Sequence, residues 1–101
     1  MDAADRSLTL LLLDPEGPRS PIYAAARRAG HRPVVATGLD TAVMVLGGLV
    51  PDVVVVRSTT MERDREAIAR LGACAPEVPL RLLSPEGTLT EALEAAAVPL
   101  N

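Results

Sequence analysis

Arg57 closes the run Pro51-Asp52-Val53-Val54-Val55-Val56 and is followed by Ser58, Thr59 and Thr60. A guanidinium beside three hydroxyls at the end of an apolar segment allows more than one chemistry. It can receive an anion as a permanently protonated set of donors, with Ser58, Ser84 and helix N-terminal amides alongside. It can instead pair with a carboxylate, and Asp14 and Glu16 follow another apolar run, Leu8 to Leu13. Or it can lie past the end of the strand, in solvent. The triplet Pro-Glu-Gly occurs twice, at Pro15-Glu16-Gly17 and at Pro85-Glu86-Gly87. Paired carboxylates can share general acid–base work. Pro also presets φ and Gly accepts positive φ, so both triplets read first as turns.

The remaining reactive side chains do not converge. His31 stands alone, with no Cys, Asp or second His at metal-ligand or triad spacing, and reads as a surface or capping residue. Ser20 and Ser84 lack a nucleophile-elbow context. No glycine-rich phosphate loop is present. Cys74, the one cysteine, lies in Leu-Gly-Ala-Cys-Ala and reads as a small apolar residue. Arg63-Asp64-Arg65-Glu66 reads as a solvated, self-paired helix start. No catalytic residues, cofactor or metal are expected.

Composition narrows the classes further. The 101 residues suit one domain, near the lower limit for a single core. Hydrophobic residues make up 49%, yet Tyr23 is the only aromatic, so the core must be aliphatic. The net charge of −3 gives no strong field for nucleic acid or an anionic membrane. All ten basic residues are arginine, which excludes lysine-dependent chemistry such as Schiff bases or a P-loop. The acidic start Met1-Asp2-Ala3-Ala4-Asp5 is unlike a signal peptide, and the apolar runs are too short to span a bilayer. The expectation is a soluble cytoplasmic protein.

Strands and helices must hold these residues. Leu8 to Leu13, Pro33 to Ala36, Val53 to Val56 and Pro79 to Leu83 are short apolar runs suited to strands covered on both faces. The β-branched valines favour strand over helix in the third. Ser20 before Pro21 is an N-cap and N1 pair, which opens a helix that Gly30 stops. A second helix runs from Asp40 or Thr41 to about Val50, a third roughly from Asp64 to Ala73, and a last from Thr88 or Thr90 over Glu91 to Ala97. Alternating strands and helices imply a parallel sheet with right-handed crossovers. The functional crevice of such a sheet lies beyond the carboxyl ends of its strands, where Asp14, Glu16, Arg57, Ser58 and Ser84 gather.

Several segments in this order resemble one family. Leu10 to Asp14 looks like a first strand with its terminal acid, and Ala29-Gly30-His31 like the turn before strand two. Gly38 to Asp52 has the spacing of a second helix and a Pro-Asp turn, and Leu82-Leu83-Ser84 looks like strand four with a switch hydroxyl. From Leu8 to about Leu100 the chain resembles the receiver domains of bacterial two-component response regulators. The resemblance implies an α/β flavodoxin-like fold with strand order 2-1-3-4 and with the fifth strand and helix missing or vestigial. It also implies a regulatory role. In that family, acids after strand one hold Mg²⁺, an aspartate ending strand three accepts a phosphoryl group, and a lysine pairs with it. Here Arg57 falls at the acceptor position, only Asp14 and the offset Glu16 remain of the acids, and the lysine has no counterpart. The implied function is a degenerate receiver that works without phosphorylation, through protein contacts.

Unmet apolar surface points to those contacts. Thr41 to Val50 carries no charge. With Ala42, Val43 and Leu46 turned inward, Met44, Val45, Leu49 and Val50 need a partner. Strand four is also an open edge unless Val98-Pro99-Leu100 folds back over it. A homodimer or a complex with a signalling protein meets both demands, with no direct contact to nucleic acid or membrane.

Overall fold

Short apolar runs cannot bury both faces alone, and here they do so by forming one sheet between two helical layers. The computed structural model describes residues 7–57, 61–84, 86–90 and 92–93, with the backbone alone at 61–64. The strands are β1 (Thr9–Leu13), β2 (Arg32–Ala36), β3 (Val53–Arg57) and β4 (Leu80–Leu83). They pair in parallel in the order β2-β1-β3-β4. The helices are α1 (Pro21–Arg28), α2 (Leu39–Leu46) and α3 (Met61–Cys74). This is the flavodoxin-like α/β arrangement expected from the sequence, with four strands among the described residues.

The pleat divides the core in two. Leu11, Leu13, Ala36, Val54 and Val56 face one way and pack with Ala42 of α2 and with Ala67 and Leu71 of α3. Leu10, Leu12, Val53, Val55 and Leu83 face the other way and pack with Ile22 of α1 and with Ala92. Adjacent residues on a strand point to opposite faces, so Leu-Leu-Leu-Leu and Val-Val-Val-Val supply both layers at once. Helical structure resumes after β4, where Ala92 N donates to Thr88 O at 3.1 Å. Ala92 is fully buried on the face that α1 covers. The rest of the expected last helix, with Val98-Pro99-Leu100, lies outside the described residues.

Local chemistry sets the element ends. Ser20 is buried and its hydroxyl accepts from Ile22 N at 3.1 Å, capping α1 as Ser-Pro predicts. His31 is structural: its Nδ1 accepts from Leu8 N at 3.1 Å, at the start of β1. Asp52 does similar work on the other side of β1. Its carboxylate accepts from Thr9 N at 2.8 Å, while its own N–H donates to Thr9 O at 2.7 Å.

Three expectations need correction. The second helix ends at Leu46 rather than near Val50, because Gly47 and Gly48 follow and glycine is a poor helix former. Val45 is not left over for a partner: it packs against the core beside Val43 and Leu46. The third helix begins at Met61, ahead of the expected Asp64.

Gly17 and Gly30 adopt φ of 59° and 87°, the left-handed region that favours glycine. A Cβ at Gly17 would also stand 3.0 Å from Thr37 Cγ2, whereas one at Gly30 would meet nothing within 4 Å. Gly30→Ala is therefore expected to cost about 1 kcal/mol, and Gly17→Ala clearly more. Urea midpoints at unchanged slope measure the difference; equal losses would remove the steric part of the argument.

Candidate functional site

The carboxyl ends of β1 and β3 meet in a cluster of three charges. Asp14 follows β1 directly and is 0% exposed. Its backbone N–H donates to Ala36 O at 2.9 Å, which prolongs the β1–β2 ladder by one bond. Its carbonyl accepts from Gly17 N at 3.0 Å, and its Oδ1 accepts from Glu16 N at 2.9 Å. The Asp-Pro-Glu-Gly segment is thus the turn its composition suggests, folded around the aspartate's own side chain. That turn brings Glu16 back over the strand end.

Arg57 reaches the same point from β3. It is the last residue of the strand, in register with Leu83 of β4, so it does not lie past the strand in solvent. Its Nη1 donates to Asp14 Oδ2 at 3.2 Å and also to Glu16 Oε2. The expected pairing with Asp14, extended to Glu16, is therefore what the structure contains. The Arg57 side chain is 13% exposed and that of Glu16 is 50% exposed. The cluster is graded: a buried carboxylate at the bottom, the guanidinium above it, and a half-solvated carboxylate on top.

Burial pulls the Arg57 pKa down, but the hydrogen bonds and charges of Asp14 and Glu16 outweigh it and raise it above its ordinary value. Arginine already titrates far above neutrality, so its charge is constant at any working pH. One cation against two carboxylates leaves the cluster net negative, which opposes the binding of an anion there. A permanent cation in the same place also repels a metal ion. Among the described residues no group of three His, Cys, Asp or Glu could hold a metal.

The other site residues fall less tightly together. Ser84 is exposed and leaves β4 at the same edge, one position beyond Leu83, with its carbonyl accepting from Gly87 N at 2.9 Å. Ser58 lies outside the described residues, as does Pro85 of the second Pro-Glu-Gly triplet. Of the apolar candidates, Met44 and Val50 are 78% and 83% exposed, while Leu49 is half-buried. Leu82 on β4, the edge strand among the described residues, was not singled out from the sequence and is exposed. Its alternation with the buried Leu83 is the signal that could have found it. No helix among the described residues is long and apolar enough to cross a membrane. The chain matches no family model, no curated protein and no solved structure.

Removing the cation strands a fully buried carboxylate. Arg57→Ala should destabilise the fold by about 3–5 kcal/mol, the range for breaking one partner of a buried pair. Glu16→Gln, at the solvated end, should cost less than about 1 kcal/mol. Replacing both Asp14 and Arg57 by leucine should recover most of the Arg57→Ala loss. Chemical denaturation of the three variants checks the order, and a cost for Glu16→Gln equal to that of Arg57→Ala would contradict the graded cluster.

Proposed function

We propose that the chain is an atypical receiver-like module that acts without phosphorylation, through contacts with other proteins, and that it is not an enzyme. One observation carries the reading. The end of the central strand β3, where a receiver would present its acceptor aspartate, holds Arg57 in an ion cluster with Asp14 and Glu16. The strand order and the acid at the end of β1 support a receiver-like scaffold. The cluster supports the loss of the family's chemistry. A guanidinium is no phosphoryl acceptor, and its charge stands where Mg²⁺ would be needed. With Arg57 held between Asp14 and Glu16, the place where the family would put its reversible charge is taken by a permanent cation.

Contacts between proteins supply the output in this reading. Met44 and Val50 expose large apolar side chains around the end of α2, and β4 is an edge strand with Leu82 exposed beside it. A two-fold homodimer burying the α2 end is the simplest way to cover the first of these. The anion-binding alternative from the sequence has the weaker support, because the guanidinium already answers to two carboxylates.

Two measurements test the proposal. Incubation with acetyl phosphate and Mg²⁺ should leave the intact mass unchanged; a stoichiometric phosphoryl adduct on an aspartate would overturn the phosphorylation-independent reading. Light scattering at low micromolar concentration should report a dimer, and Met44→Glu with Val50→Glu should return it to a monomer of unchanged melting temperature. A parent chain that is already monomeric there would remove the dimer.

A further inference from the structure

The two edges of the sheet are not equivalent. At β2, Arg32 N donates to Leu8 O at 2.8 Å and Ala36 O accepts from Asp14 N at 2.9 Å. Alternate residues of a parallel strand serve one neighbour, so Arg32, Val34 and Ala36 turn to β1 while Pro33 and Val35 turn outward. Pro33 has no N–H, which blunts that edge against strand addition. At β4, Pro79 O accepts from Val54 N at 2.9 Å. Arg81 and Leu83 therefore serve β3, and Leu80 and Leu82 direct their N–H and C=O groups away from it. Among the described residues β4 is the last strand on that side, and no proline stands within it.

The side chains of β4 add a charge to this edge. Arg81 stands in register with Val55 and Leu82 with Val56, so the two face opposite layers of the core. Arg81 Nε is buried and has no hydrogen-bond partner. The ion pairs of the described residues involve Arg57 and Arg70, not Arg81. A guanidinium stays charged, and a buried donor without an acceptor costs stability. Leu82, on the other face, is 42% exposed.

We propose that β4 takes an extended segment of a partner protein as an added antiparallel strand, with a carboxylate opposite Arg81 and apolar residues opposite Leu80 and Leu82. In this mode the backbone bonds give affinity and the alternating side chains give specificity. Residues directly opposite on paired strands stand about 4.5–5.5 Å apart, within reach of a guanidinium and a carboxylate. A second copy of this chain fits less well. Pairing Leu80 with Leu82 of the second copy sets the two Arg81 side chains directly opposite each other, and like charges there are unfavourable. The proposal deepens the reading of the chain as a module that works through protein contacts, by naming the chemistry of one partner. A phosphoryl adduct on an aspartate would fail that reading and leave this binding as it is, whereas loss of strand addition fails this proposal alone.

Fluorescence anisotropy with a fluorescein-labelled peptide, Thr-Val-Glu-Val-Thr, tests it. Saturable binding is expected, weakened about tenfold by Arg81→Met or by Lys in place of the peptide's Glu, as loss of one charge-assisted hydrogen bond implies. Arg81→Met should leave the melting temperature equal to or above that of the parent chain, since it removes the unanswered donor. Leu82→Pro takes away an outward N–H while sparing the bonds to β3, and should weaken binding as well. If Leu82→Pro unfolds the chain, N-methylation of the peptide's valines removes the same ladder from the other side. The proposal is overturned by an absence of saturable binding, or by binding indifferent to Arg81→Met or to the N-methyl groups. It is equally overturned by self-association of the parent chain that Arg81→Met strengthens, which would give the edge to a second copy.

Discussion

A carboxylate with no exposure to water has to be compensated inside the protein, and at Asp14 that requirement organises one whole edge of the sheet. Its backbone continues the ladder to β2, its carbonyl and Oδ1 close the turn after β1, and its Oδ2 takes the charge of Arg57 from β3. Three consecutive strands of the sheet, β2, β1 and β3, are thus tied at their carboxyl ends by one residue. A diffusible cation in that place could come and go. A guanidinium anchored to β3 cannot, so the countercharge to Asp14 is set in place as the chain folds.

The two ends of the sheet divide their polar work differently. At the carboxyl end the charges are turned on one another and graded from buried to solvated. At the amino end the hydrogen bonds are backbone-centred, with Asp52 and His31 serving β1 from either side. The aliphatic core between them needs no polar support, since every strand places leucine or valine on both faces.

Much of this was legible in the sequence, and for identifiable reasons. The β-branched run Val53 to Val56 favours a strand, Ser20-Pro21 is a good helix opening, and the alternation of segments implies a parallel sheet. For Arg57 the sequence left three readings open, a pair with Asp14, an anion site and a place beyond the strand, because the types and order of the residues do not show which side chains meet. The reach of Glu16 depends on how the turn folds around Asp14, which no local pattern states. Other features were not legible. The uncharged run from Thr41 to Val50 does not reveal which apolar residues turn inward, so Val45 was misassigned to the surface. The termination of α2 at Gly47 competes with an apolar run that continues to Val50. The bonds from Asp52 to Thr9 and from His31 to Leu8 join residues distant in the chain, and no local pattern encodes them.

The position of Ala92 decides which face of the sheet the segment after β4 covers. In a parallel sheet with right-handed crossovers, a helix bound for a further strand beyond β4 would cross on the side of α2 and α3. Ala92 instead lies with Ile22 on the side of α1. The segment after β4 therefore shares with α1 the cover of one face, while α2 and α3 cover the other, and the central strands are shut off from water on both sides.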